Sequence, residues 1–234
     1  MKAAVIIPVY NHQDTISRVV RKCLALELPV IVVDDGSTDN TGQQLAAIDN
    51  ITVCRHKTNQ GKGAALLTGF AKARKSGCDY GLTIDGDGQH NPDDAPALLA
   101  VAEKEKNRCL VVGVRRDMSG VNVPWTSRFG RGFSNFWVRM AGGPVLRDSQ
   151  SGFRLYPLPE TLRLDVRARR YQYEVEVLVL ARLQGLAIKE VEIGVIYQEK
   201  GKRISHFRPW VDFMRNSATF SRLIFWRVLR SFRP

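Results

Sequence analysis

The feature that most constrains this chain is a set of apolar runs too continuous to be half-exposed strands. Residues 3–9 (Ala-Ala-Val-Ile-Ile-Pro-Val), 29–33 (Pro-Val-Ile-Val-Val), 51–54 (Ile-Thr-Val-Cys), 80–84 (Tyr-Gly-Leu-Thr-Ile) and 109–114 (Cys-Leu-Val-Val-Gly-Val) recur through the first half. A strand with one wet face alternates polar and apolar residues, whereas a near-continuous run is buried on both faces. The intervening segments have helical character. Residues 13–26 carry Ile16, Val19, Val20, Cys23 and Leu24 at three- and four-residue spacing. Ser37 or Thr38 caps a helix over 39–47, an Ala-rich helix spans 64–75, and Asn91-Pro92 opens one through Ala95–Lys104. Strand and helix in alternation predict an α/β layer whose parallel sheet is covered on both sides.

Two of these runs stop abruptly at acids. Val33 is followed by Asp34-Asp35-Gly36-Ser37-Thr38-Asp39, and Ile84 by Asp85-Gly86-Asp87-Gly88-Gln89-His90. In open α/β sheets ligands bind just outside the carboxyl ends of the strands. Two carboxylates about 4 Å apart repel by roughly 1 kcal/mol in water and about 4 kcal/mol at an effective dielectric near 20. A divalent cation between Asp85 and Asp87 removes that penalty and presents positive charge to a phosphate. The plain alternative is an acidic turn facing water. For Asp34-Asp35 it is an acidic cluster at a helix start, worth about 0.3–1 kcal/mol through the dipole. Two acidic strand ends point instead to one shared cleft. Gly61-Lys62-Gly63 lacks the remaining residues of a P-loop, and no G-x-G-x-x-G follows a strand.

A chain of 234 residues suffices for one large domain, and its net charge of +12 asks for an acidic partner: nucleic acid, anionic lipid or a phosphorylated substrate. The apolar part of the N-terminus is too short for a signal peptide, and no stretch reaches the length of a membrane span. Cys23, Cys54, Cys78 and Cys109 have no C-x-x-C spacing and read as reduced thiols of a cytosolic protein. The second half is less regular. It offers an aromatic helix at 125–140 with Arg128, Arg131 and Arg139, a helix around 174–180 with acids toward its start, and strand-like 188–193 and 195–197. The tail from 209 to 234 interleaves Trp210, Phe213, Phe220, Phe225 and Trp226 with Arg215, Arg222, Arg227 and Arg230. That pattern suits a helix lying in a membrane interface or one packed on the core with its arginines outward. Contact with single-stranded nucleic acid ranks below both, because no RNA-binding module is visible.

Four segments occur together and in order: Ile7-Pro8-Val9-Tyr10-Asn11, Val33-Asp34-Asp35-Gly36-Ser37-Thr38-Asp39, Asn59-Gln60-Gly61-Lys62-Gly63 and Asp85-Gly86-Asp87-Gly88-Gln89-His90. The set resembles the family 2 glycosyltransferases of GT-A fold, within them the dolichyl- or polyprenyl-phosphate mannosyltransferase branch. Ser151-Gly152-Phe153-Arg154-Leu155-Tyr156 extends the resemblance. The late segment Tyr197-Gln198-Glu199, then Ser205-His206-Phe207-Arg208-Pro209, is similar to bacterial members acting on lipid-linked acceptors. The likeness covers roughly residues 3–210. This chain departs from the family in carrying His12 where an acid often follows Tyr-Asn, and in lacking the membrane-spanning tail of some relatives.

The resemblance implies a GT-A domain over 1–208, an α/β unit with a mostly parallel sheet and helices on both faces. Its nucleotide-binding half is about 1–117 and its acceptor half about 118–208, with 209–234 as a basic aromatic helix. It implies inverting transfer of a sugar from a nucleoside diphosphate sugar to a lipid-phosphate or glycolipid acceptor, by a peripheral enzyme on the cytoplasmic face of the membrane. Asp85 and Asp87, with Gln89 as a further oxygen ligand, are assigned to Mg²⁺ or Mn²⁺ and the diphosphate, Asp87 most directly. Pro8, Tyr10 and Asn11 shape the base pocket, Asp34 and Asp35 hold base or ribose, and Lys62 contacts phosphate or base or is a solvated lysine in a glycine turn. A lipid phosphate needs cations, for which Arg115, Arg128, Arg131 and Arg203 are candidates, with His206 nearby or purely structural. A hydroxyl acceptor needs a base, and Asp148 stands where related enzymes keep one. The rival classes are a nucleotidyltransferase, which releases pyrophosphate, and a non-enzymatic basic module binding membrane or RNA.

Overall fold

The computed structural model describes residues 1–116, 125–194 and 209–231, with side chains over 1–116, 130–194 and 212–228. Its strands β1 (Ala3–Val9), β2 (Val30–Asp34), β3 (Ile51–Arg55), β4 (Tyr80–Thr83), β5 (Cys109–Arg115), β6 (Arg154–Pro157) and β7 (Ala187–Ile193) form one sheet. The order is β3-β2-β1-β4-β6-β5-β7. Every neighbour pair is parallel except those of β6, which runs antiparallel to both β4 and β5.

The continuous apolar runs are explained by two cores, one on each face of the sheet. From β1, Ala4 and Ile6 enter the core made with α3 (Lys62–Lys75) and α7 (Tyr173–Leu183). Val5, Ile7 and Val9 enter the opposite core, made with α1 (Ile16–Leu24) and α4 (Ala95–Lys104). β2 divides in the same way, Ile31 and Val33 against Val30 and Val32, and so does β5, Leu110 and Val112 against Cys109 and Val111. Ile6 and Ile7 are fully buried on opposite faces, so truncating either to alanine costs roughly 2–5 kcal/mol.

The predicted mostly parallel sheet is therefore present, with helix boundaries within a few residues of those expected. α2 (Thr41–Ala46) is the shortened form of the helix expected at 39–47. α5 (Trp125–Met140) has the bounds expected of the aromatic helix. The strand-like stretch at 195–197 lies outside the described residues. β6 escaped the sequence reading for a physical reason. It is four residues long, contains a buried arginine and ends in proline, so it has no apolar run to announce it.

The tail forms α8 (Pro209–Ser231), which packs on the core through Phe220 and Leu223. Phe213 meets Phe133 of α5 at 5.1 Å between ring centroids, and Phe220 stacks against Trp137 at 6.3 Å. Arg222 reaches the buried Glu176 of α7 at 2.5 Å. Among the described residues no helix is long and apolar enough to cross a membrane. All four cysteines are free thiols, three of them buried.

Candidate active site

Parallel pairing brings the carboxyl ends of β1, β2 and β4 together, because Val9 pairs with Asp34 and Ile6 with Thr83. The loops that leave these ends are fastened to one another. Asn11, in the left-handed region at φ 52°, donates its backbone N–H to Ser37 Oγ at 3.0 Å and accepts from Thr38 N at 2.8 Å through Oδ1. Thr15 Oγ1 donates to the Gly86 carbonyl at 2.7 Å, tying the first loop to the Asp-Gly-Asp turn. His12 acts here at least through its backbone: its carbonyl accepts from Thr15 and Ile16 N–H as α1 begins. Pro8 is buried, while Tyr10 and Asn11 are half-buried at the same strand end.

Asp34 and Asp35 are almost completely buried. Asp34 accepts from Ser37 N at 2.8 Å and lies 3.3 Å from Arg55 Nε. Asp35 accepts from Gln60 N at 2.9 Å and Gly61 N at 2.7 Å, and His56 Nδ1 lies 2.6 Å away. Both carboxylates thus brace the loops from inside. Whatever they offer a nucleotide, Asp35 also fixes the entry to α3.

Lys62 is the first residue of α3, and its Nζ sits between Asp85 Oδ1 at 2.6 Å and Glu174 Oε1 at 2.7 Å. The three side chains are 16%, 22% and 10% exposed in that order, so they form a mostly buried triad. Burial pushes the Asp85 carboxyl up, but Lys62 and then His90 outweigh it and hold it well below the usual carboxylate range. For Lys62, burial works against the charge while Asp85 and Glu174 overcome it, leaving the ammonium firmly protonated. Gly152 closes one side of the pair: a Cβ there would stand 2.4 Å from Asp85 Oδ2 and 2.8 Å from Lys62 Nζ. Thr83 Oγ1 donates to the Gly152 carbonyl at 2.7 Å and holds that close approach.

Asp87 accepts from Gln89 N at 3.0 Å and from Gln89 Nε2 at 2.8 Å. Turning that amide over would present its carbonyl oxygen beside the Asp87 carboxylate. Among the described residues no group of three or more His, Cys, Asp or Glu could hold an ion. The donors present are hard oxygens, with Asp85 and Asp87 as the carboxylates. That set fits an ion of the Mg²⁺ type, which binds one or two carboxylates and takes its remaining ligands from substrate phosphates and water.

On the far side of the sheet's carboxyl end, Asp148 is fully buried and receives two bonds from Arg115, Nε at 2.6 Å and the terminal nitrogen at 2.9 Å. Burial raises its carboxyl, but the Arg115 bonds and charge, with Arg131 adding, hold it below the usual range. Asn135 of α5 secures the segment by accepting from Ser149 N and donating to the Arg147 carbonyl, both at 2.9 Å. The role of base expected for Asp148 fits this geometry poorly, since a buried carboxylate stabilised in its ionised form has little affinity for a proton. Of the expected cations, Arg115 pairs directly with Asp148, while the charge of Arg131 adds to the lowering of its carboxyl. The Arg128 side chain, Arg203 and His206 lie outside the described residues and side chains.

Sequence reasoning missed Glu174, Tyr171 and Arg154. Burial pushes the Tyr171 hydroxyl up to about 12, against Lys62 and with Asp85, Glu174 and Asp212 adding. Arg154 is fully buried and donates to the carbonyls of Ser149 at 2.8 Å, Ser151 at 2.7 Å and Glu174 at 2.7 Å. The available signals were the acids at the start of α7 and an arginine inside an apolar segment. Neither says which partner it meets.

The model of Glycosyl transferase family 2 matches residues 4–158. The chain is 32% identical over 214 residues to the UDP-N-acetylglucosamine–dolichyl-phosphate N-acetylglucosaminyltransferase of Methanococcus voltae, covering 83% of this chain and 85% of that one. It is 31% identical over 214 residues to the undecaprenyl-phosphate mannosyltransferase of Micrococcus luteus, covering 86% of each. In fold it is similar to glucosyl-3-phosphoglycerate synthase from Mycobacterium tuberculosis, solved with Mg²⁺ and uridine diphosphate. There the TM-score is 0.72 at 23% identity, over 95% of this chain and 79% of that one. Acidic ends on neighbouring strands, a GT-A architecture and a family match over most of the chain converge on one conclusion: this protein is a glycosyltransferase belonging to glycosyltransferase family 2.

Proposed function

We propose that the protein transfers a sugar from a nucleoside diphosphate sugar to the phosphate of a polyprenyl-type lipid, working at a membrane surface. The observation that carries this reading is the state of Asp148, buried and doubly bonded to Arg115. A hydroxyl acceptor needs a base, and that carboxylate is a poor one. A phosphate acceptor is already ionised and needs cations, which Arg115 and Arg131 supply. The names of the relatives from Methanococcus voltae and Micrococcus luteus, a dolichyl-phosphate and an undecaprenyl-phosphate transferase, support the same acceptor class.

In the reaction an oxygen of the lipid phosphate attacks the anomeric carbon from the face opposite the leaving group. The bond to the nucleoside diphosphate breaks, its electron pair leaves with the diphosphate, and the configuration inverts. Pro8, Tyr10 and Asn11 form the floor for the base, and the loop braced by Asp35 brings Lys62 toward the diphosphate. A Mg²⁺ or Mn²⁺ ion, held by Asp87 with Asp85 and the turned Gln89 amide, would supply Lewis-acid stabilisation of the charge gathering on that diphosphate. Asp87 keeps one oxygen aimed by accepting from the Gln89 backbone N–H.

The helical side supports peripheral membrane attachment. Met214, Phe225 and Val228 are exposed on the side of α8 away from Phe220 and Leu223, and Phe136 and Met140 of α5 are exposed as well. Arg227 donates to the Met140 carbonyl at 3.1 Å, which joins the two apolar surfaces. Apolar residues interleaved with arginines suit the boundary of an anionic bilayer.

The test is an incubation with a panel of nucleotide sugars, Mn²⁺ and either a polyprenyl phosphate or the corresponding alcohol in mixed micelles. Nucleoside diphosphate release and lipid-bound sugar are expected with the phosphate only. Transfer to the alcohol alone would overturn the acceptor assignment, and release of pyrophosphate would indicate nucleotidyl transfer instead.

A further inference from the structure

Lys62 occupies an expensive position. It opens α3, where the positive end of the helix dipole disfavours a cation, and its side chain is mostly buried. One carboxylate would neutralise it, yet it has two, Asp85 at 2.6 Å and Glu174 at 2.7 Å. On the proposed reaction Asp85 is needed by the donor and its cation. An ammonium that loses its sole carboxylate at this depth is strongly destabilised, because a buried charge without a partner is costly. Glu174 removes that conflict, since it comes from a different element and makes no use of the Asp-Gly-Asp turn.

The seat of Glu174 is itself fixed. Its backbone carbonyl accepts from the buried Arg154 at 2.7 Å, and the same guanidinium holds Ser149 and Ser151. Those bonds set the segment that leads to Gly152, whose backbone closes over Asp85 and Lys62. Two residues further along α7, Glu176 accepts from Ala168 N at 2.8 Å and Arg167 N at 3.2 Å, and so fastens the helix to the loop preceding it.

We propose that Glu174 is a positioning residue for donor binding: it holds the Lys62 ammonium in its buried seat beside Asp85 and so frees Asp85 to turn to the donor. Glu174 acts through Lys62 and touches neither the sugar nor the acceptor. This inference rests on the donor-site reading given above.

The test is a double-mutant cycle read by calorimetric binding of uridine and guanosine diphosphate with Mn²⁺, which requires no turnover. Glu174→Gln keeps the shape and removes the charge, and it should weaken binding by about tenfold. Lys62→Met should weaken it at least as much. Combined, the two changes should cost no more than Lys62→Met alone, because the glutamate has nothing left to hold. Kinetically, Glu174→Gln should raise the donor KM while kcat changes far less. Wild-type affinity in Glu174→Gln, or losses that add in the double variant, would overturn the proposal. Should Glu174→Gln fail to fold, the same cycle runs with Glu174→Asp, which shortens the reach without removing the charge. It should show a loss of about threefold that disappears in the Lys62→Met background. A wild-type protein that binds neither nucleotide overturns the donor reading itself, whereas wild-type binding that Glu174→Gln leaves unchanged overturns only this inference.

Discussion

The proposed donor site at the carboxyl end of the sheet and the helical pair α5 and α8 use charge in opposite ways. Around Asp85 the charged groups are mostly buried and matched at short range: Lys62 is shared by two carboxylates within 2.7 Å, and Asp35 is filled by two backbone N–H groups and an imidazole. Along α8 the arginines stand among exposed apolar residues, while Arg222 reaches the buried Glu176 and Arg215 the buried Asp212. Buried matching fixes positions to a fraction of an ångström and resists salt. On the proposed membrane reading, exposed arginines beside Phe225 and Met214 attract an anionic surface, and salt weakens that attraction. The contrast teaches that one chain can pair a tightly matched buried cluster, the proposed donor site, with an exposed helical side, the proposed membrane face, with α7 touching both through Glu174 and Glu176.

Changes on the two sides should therefore read out differently. The largest effect belongs to Asp87→Asn, expected to lower kcat about a thousandfold, or about 4 kcal/mol, with little change in melting temperature or vesicle binding. Arg115→Met leaves Asp148 buried without its partner and should cost about 3 kcal/mol of stability by urea titration. Turnover that survives in that destabilised variant would break the assignment of Arg115 to the acceptor phosphate. The paired change Met214→Glu and Phe225→Glu should weaken sedimentation with anionic vesicles by about tenfold and leave nucleotide affinity intact. A loss of nucleotide binding there would erase the separation between the sides. Salt should reproduce part of the vesicle effect in the wild type.

The smallest effect is on acid stability, and its sign follows from the depressed carboxyls. Asp85 and Asp148 both titrate below their unfolded values, so their contribution is fully present above about pH 4 and is lost as the pH falls through the folded values. Urea stability should be level from neutrality to mildly acidic pH and fall below about pH 4, less steeply in Arg115→Met, where the main support of the Asp148 shift is gone.

Much of the proposed donor side could be picked out early because it is written in contiguous residues. The run from Val30 to Asp35 and the run from Tyr80 to Asp87 each carry both the strand and the acids that cap it, so local pattern and site coincide. The acceptor side was only half legible. Arg115 and Asp148 were both singled out, one as cation and one as base, but their spacing of 33 residues hides the fact that they pair.

By itself the sequence determined a doubly covered, mostly parallel sheet, since runs of unbroken hydrophobicity have no other stable place, and it determined that acids would crowd one end of it. Only the tertiary structure decided what those acids meet. Inserting β6 antiparallel between β4 and β5 brings Gly152 against Asp85, and the packing of α7 on α3 brings Glu174 to Lys62. The physical reason is one of range. Hydrophobic burial follows the local pattern of a segment, whereas an ion pair depends on a few ångströms of separation between residues that the chain holds far apart.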